Sequence, residues 1–136
     1  LEPLMTTLAY DAARGTFRAV QTLPTVPGKF SGLNQCGAVR VSPDGRFVYG
    51  SNRGHDSLVA YAVDPTRGTL TLTGHAASGG AWPRDFALDP TGRFLLVANQ
   101  ASDRVCTFRI DPASGALTPT GHGADVPEPA FVAVVP

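Results

Sequence analysis

Residues 42–75 and 89–122 are two copies of one pattern, set 47 positions apart without a gap and identical at 14 of 34 columns. Each copy opens on a Pro-x-Gly-Arg-Phe turn, runs through an apolar stretch to an asparagine, and reaches an aspartate four residues later. A second apolar stretch follows, then Asp-Pro-x-x-Gly and an alternating Leu-Thr-x-Thr-Gly-His. A repeat of this length cannot bury its own apolar face and must stack on its neighbours, which restricts the chain to a repeat architecture.

The stretches 47–49 and 94–97, 58–63 and 105–110, and 70–73 and 117–120 read as three strands per copy. They are short, rich in β-branched and aromatic residues, and bounded by turn residues. A fourth strand precedes each copy at 38–41 and 85–88. The turns are Pro43-Asp44-Gly45, Pro90-Thr91-Gly92, Asp64–Gly68 and Asp111–Gly115, where proline presets φ, aspartate caps backbone N–H groups and glycine takes positive φ. Four antiparallel strands every 40–50 residues define a β-propeller blade. The fold class is therefore all-β, with propeller blades of four antiparallel strands, about two and a half of them.

Partial copies flank the two full ones. Residues 11–17 match the 64–70 turn, and 131–135 match the strand at 85–88. The whole chain, 1–136, thus reads as the C-terminal part of one propeller domain, with full repeats at 38–74 and 85–121. Closed propellers hold about four to eight blades, so the expectation is a fragment of a larger ring, with self-assembly into a ring as the alternative. Open blade edges expose unpaired strands, and self-association through them is expected.

Composition agrees and excludes other classes. Fifteen glycines and twelve prolines punctuate a chain that is 43% hydrophobic and 16% charged, too apolar for a disordered tail. Eleven basic residues balance eleven acidic ones, which gives no basic footprint for nucleic acid and no membrane-surface patch. No run approaches a membrane span, and the first residues lack a signal-like pattern, so the expected location is the cytoplasm. Cys36 and Cys106 lie in no metal or redox motif and are expected as buried small hydrophobes. Three scattered histidines imply no metal site, and no nucleotide fingerprint is present, so no cofactor is expected.

Blade topology sorts the loops by face. The Pro-x-Gly and Asp-Pro-x-x-Gly turns lie on one face and read as structural hairpins. The other face collects 52–56, the crossover 78–84, and 99–103. A residue required by blade geometry recurs in each blade, whereas one placed for chemistry does not. Asn52, Asn99, Asp56 and Asp103 recur and read as turn caps. Arg53 faces Gln100, His55 faces Ser102 and Arg84 faces Gly37, so Arg53, His55, Arg84 and Gln100 are candidate site residues. Two arginines and a histidine suit an anionic, oxygen-rich ligand, because the guanidinium fork matches phosphate or carboxylate and histidine moves protons near neutral pH. Their structural alternatives are solvated loop arginines and an ordinary turn histidine. Trp82 either stacks on a sugar ring or packs between blades. His75 and His122 recur and read as structural.

The stretches Val41–Ser57 and Pro83–Gln100, with Ser-Asn-Arg-Gly-His-Asp at 51–56 and Pro-Arg-Asp-Phe at 83–86, resemble the lactonase seven-bladed propeller family from about Tyr10 onwards. That resemblance implies a 6-phosphogluconolactonase-type hydrolase that opens 6-phospho-glucono-1,5-lactone to 6-phosphogluconate in the pentose phosphate pathway. Its partner would be a phosphorylated sugar lactone. Family members acting on muconolactones and non-enzymatic binding propellers are the alternatives. The implied roles are catalytic for His55, as general base, and for Arg84, with Arg53, Gln100 and Trp82 binding substrate. The family often carries an acidic residue where this chain has Gly37-Ala38.

Overall fold

The computed structural model describes residues 2–135. Ten strands follow in order: β1 (Leu4–Asp11), β2 (Thr16–Pro24), β3 (Gln35–Val41), β4 (Phe47–Arg53), β5 (Ser57–Asp64), β6 (Thr69–Ala77), β7 (Pro83–Leu88), β8 (Phe94–Asn99), β9 (Arg104–Ile110) and β10 (Leu117–Asp125). One 3₁₀ turn, Gln100–Ser102, follows β8. The strands form three antiparallel sheets: β1-β2, β3-β4-β5-β6 and β7-β8-β9-β10. Two complete blades and an outer hairpin are what the 47-residue period predicts.

The blades stack face to face. Phe47, Tyr49 and Leu58 of one blade meet Phe86, Leu95, Val97 and Phe108 of the next in a single core. Val48, Val59, Tyr61 and Leu70 pack the opposite side of the first blade against Met5 and Leu23. Being covered on both faces, β4 is buried along nearly its whole length rather than alternating. Two buried tyrosines tie blade to blade: Tyr49 Oη donates to the Gly115 carbonyl at 3.0 Å and Tyr61 Oη to that of Pro24 at 2.6 Å. Burial pushes both phenols up to about 12, so they stay protonated donors. Gly115 has φ +72°, and a Cβ there would meet the Phe47 ring at 2.4 Å. Both facts require glycine at the end of that turn.

The aspartate turns behave as their composition predicts. Asp64 Oδ1 accepts from Thr66 N and Arg67 N, Asp111 Oδ1 from Ala113 N and Ser114 N, and Asp11 Oδ1 from Ala13 N and Arg14 N. Bonds from the Arg67 and Thr66 amides hold the Asp64 carboxyl below its ordinary 3.8, and bonds from Ser114 and Ala113 do the same for Asp111. The Ser42 hydroxyl and the Arg46 amide lower Asp44. A carboxyl whose folded pKa is depressed contributes its stability in full above the unfolded value and loses it as pH falls through the folded one. Stability is therefore expected to stay level between about pH 7 and 5 and to decline below about pH 4; urea unfolding at stepped pH reads the midpoint.

Three expectations change. β6 and β10 run well past 73 and 120, because each crosses a bulge (opposite Ala60/Tyr61 and between Pro119 and Gly123) and then resumes pairing. Residues 131–135 do not join a sheet; Val132 N instead donates to the side chain of Asp85, on β7, at 3.1 Å. Cys106 is buried but Cys36 is exposed, since it sits at the open end of the innermost strand β3; both thiols are free.

Candidate active site

The second-to-third loops and the blade crossovers do share one face, and recurring residues hold them. Asn52, fully buried, donates from Nδ2 to the Thr25 carbonyl at 2.7 Å, and its Oδ1 accepts from Thr25 Oγ1 at 2.7 Å and Asn34 Nδ2 at 3.2 Å. Asn99 repeats the first contact, donating to the Ser78 carbonyl at 2.9 Å. Asp56 Oδ1 accepts from Trp82 N at 2.9 Å, and Asp103 Oδ1 accepts from Glu128 N at 2.8 Å. Trp82 and Glu128 both have positive φ, 60° and 43°, so each aspartate pins a left-handed residue at the end of a crossover. These four residues are the caps that the repeat comparison predicts.

The non-recurring residues gather on this frame. Arg53 closes β4; its Nη2 donates to the Cys36 carbonyl at 2.8 Å and its guanidinium lies 5.7 Å from the Trp82 ring centroid. Trp82 thus packs on an arginine, and its carbonyl accepts from Gln100 N at 3.0 Å. Arg84 is the extra residue of a β-bulge, since Pro83 pairs with Asn99 and Asp85 with Ala98. Bulges beside sites re-aim a side chain, and Arg84 is exposed, with Nη1 donating to Gln100 Oε1 at 3.1 Å. That bond leaves the Gln100 amide group as a donor. Arg53, Trp82, Arg84 and Gln100 therefore form one contiguous group.

His55 stands apart from it. Its ring meets Phe30 edge-on at 4.8 Å and His75 at 6.2 Å, and its Nδ1 lies 2.7 Å from Ser57 Oγ. Ser57 is buried and accepts from Asn52 Nδ2 at 3.2 Å, and its hydroxyl oxygen has a second lone pair, so the contact with Nδ1 runs in either direction according to the ring tautomer. The general-base role expected of His55 needs the tautomer in which Nδ1–H donates to Ser57 Oγ and Nε2 is left to take a proton. His75 is also bound, with Nε2 3.0 Å from the Thr25 carbonyl, whereas His122 is exposed at the β10 bulge. The repeat comparison did not reveal Phe30, Asn34 or the Cys36 carbonyl, because the 25–34 crossover has no counterpart of equal length.

Among the described residues no carboxylate lies within ion-pair distance of Arg53 or Arg84. Arg53 Nε is buried without a hydrogen-bond partner. In a closed propeller this face opens on the central channel, and this mouth is a set of donors with no carboxylate in ion-pair reach among the described residues. The acid absent at Gly37-Ala38 is partly explained by space: a Cβ at Gly37 would meet Ser51 Oγ at 2.3 Å and the Pro83 carbonyl at 2.9 Å. One blade on, Asp85 takes the position of Ala38, buried, and accepts from Arg40 Nη2 at 2.9 Å.

The family model described as lactonase, 7-bladed beta-propeller matches residues 1–134. The chain belongs to this family. It is 40% identical over 82 residues to the 6-phosphogluconolactonase of Bacillus subtilis, covering 60% of this chain and 24% of that protein. The periplasmic gluconolactonase of Pseudomonas aeruginosa superposes with a TM-score of 0.90 at 38% identity, covering 96% of this chain and 36% of that one. A protein from Lactobacillus plantarum gives a TM-score of 0.90 at 37% identity, covering 96% of this chain and 38% of that one. The chain thus spans about a quarter of the curated relative and over a third of the solved structures.

Proposed function

We propose that this lactonase segment carries the anion-binding part of the active site of a lactone hydrolase resembling 6-phosphogluconolactonase, which opens 6-phospho-glucono-1,5-lactone to 6-phosphogluconate in the pentose phosphate pathway. The observation that carries the reading is the acid-free donor cluster of Arg53, Arg84 and Gln100 at the channel mouth. Attack of water on a lactone carbonyl places negative charge on its oxygen. Fixed donors aimed at that charge stabilise the transition state more than the ground state.

Arg84, re-aimed by its bulge and held by Gln100, polarises the carbonyl. Arg53, backed by Trp82, binds the phosphate, and Trp82 offers its remaining surface to the sugar ring. His55, at the rim, acts as general base on the attacking water through Nε2, with Nδ1–H donating to Ser57 Oγ. The reaction is hydrolysis of a cyclic carboxylic ester. A cytoplasmic setting is part of the proposal and suits two free thiols; so is self-association through the open edges of the outer blades.

Hydrolysis of 6-phosphogluconolactone, followed above its uncatalysed rate and compared with unphosphorylated gluconolactone, tests the reading in a propeller containing this segment. Faster turnover of the phosphorylated lactone is expected. A well-folded, closed propeller without turnover would identify a binding scaffold instead.

A further inference from the structure

The hairpin face, opposite the mouth, holds a cleft of about 490 Å³ between the two complete blades. Its walls include Pro43, Phe47, Ile110 and Pro112, with Arg93 and Arg109 at the opening. The volume is in the range of small-molecule sites.

The blade repeat sharpens what this cleft is for. In the first complete blade, Arg46 lies over Phe47 at 5.2 Å and reaches Asp44 Oδ2 at 3.9 Å, so its charge is partnered. In the second, Arg93 lies over Phe94 at 5.8 Å, but Thr91 stands where Asp44 would be and the turn's carboxylate has moved to Asp89, in the place of Ser42, where it makes no ion pair with Arg93 among the described residues. A second arginine is added as well. Arg109 pairs with Phe94 across β8 and β9 and sits 4.9 Å from its ring, in the register position that Ala62 fills opposite Phe47.

Blade geometry therefore does not demand the added arginine. Among the described residues no carboxylate lies within 4.0 Å of Arg93 or Arg109. Asp44 also lines the cleft, but its carboxylate is engaged by Ser42 Oγ and Arg46 N, and Asp89 is engaged by Thr91 and the amides of Arg93 and Phe94. Two unpaired guanidinium groups, braced on one aromatic ring at the edge of an apolar cleft, make a receptor for an anionic head on an apolar body.

We propose that this inter-blade cleft is a second binding site, distinct from the channel mouth, for a small organic anion that carries a phosphate or carboxylate on a flat apolar group. The head engages Arg93 and Arg109, and the apolar body lies against Pro43, Phe47, Ile110 and Pro112. Both walls belong to complete blades, so the site needs nothing from outside this chain.

Phenyl phosphate is the probe, with binding followed by calorimetry and by amide shifts of the folded chain. Saturable binding is expected to weaken at least about tenfold in a variant combining Arg93→Gln with Arg109→Ala, and to stay within about twofold in Arg14→Gln, at an exposed arginine outside both sites. Arg109→Ala restores the residue type that the neighbouring blade tolerates at Ala62, and circular dichroism checks that the fold is kept. Failure of the wild-type chain to bind, binding unchanged in the double variant, or loss of binding in Arg14→Gln would each overturn the proposal. Inorganic phosphate binding as tightly as phenyl phosphate would overturn the part assigned to the apolar walls.

Discussion

Replacing Arg84 with alanine in a propeller that hydrolyses the lactone is expected to lower kcat by about 10² to 10³-fold, the usual cost of removing one donor from a developing oxyanion. The bulge that places Arg84 is a backbone feature, and its side chain is exposed and among the described residues bonds Gln100 alone, so folding should be untouched. Gln100→Ala removes the group that fixes the guanidinium while leaving the charge. It is expected to cost about tenfold, with the loss shared between kcat and KM. Arg53→Ala should fall mainly on KM for the phosphorylated lactone and little on that for the unphosphorylated one, because its proposed partner is the phosphate. A uniform loss for both substrates would move Arg53 from phosphate binding to carbonyl polarisation.

The largest stability effect is expected at Asn52. It is fully buried and bonded to Thr25 twice, to Asn34 and to Ser57. Asn52→Ala removes both of its bonds to Thr25, whose carbonyl keeps His75 and whose hydroxyl keeps the Pro3 carbonyl, takes the acceptor from Asn34 Nδ2 and loosens the long crossover, at a cost of roughly 3 kcal/mol. Asn99 supplies an internal comparison, since it is equally buried but among the described residues makes one side-chain bond and has no partner for its Oδ1. Asn99→Ala should cost about half as much. Urea unfolding of both variants, with unchanged m values, gives the two numbers. Equal losses would mean that the asparagine contributes by filling volume and not by gripping the crossover.

The fold was legible because its unit repeats. Pro43-Asp44-Gly45, Asp64–Gly68 and their copies mark each turn with a residue that has one physical job there, and the apolar runs between them can only be strands. What the repeat hid lies in its irregularities. The β10 bulge holds more residues than that of β6, so Gly123 takes the ladder position of His75 and His122 is turned out to solvent. An identical column in the alignment therefore does not mean an equivalent place in the blade.

The site was legible for the same reason, read in reverse. Arg53, Trp82, Arg84 and Gln100 break the repeat and lie together. His55 also breaks it, but the loop that captures it, with Phe30 and Asn34, is longer than the other crossover and has no copy to compare against. Nor could the sequence report the Ser57 hydroxyl that lies 2.7 Å from Nδ1 and orients the ring.

Trp82 is the sole tryptophan and lies within the donor cluster, so its emission reports directly on the mouth. Titrating the folded chain with 6-phosphogluconate, the product proposed for this site, is the most direct measurement. A saturable change in Trp82 fluorescence is predicted, lost in Arg53→Gln and weakened in Arg84→Gln. A folded chain whose Trp82 emission does not respond, or responds equally in both variants, would contradict the assignment of this mouth to an anionic sugar acid.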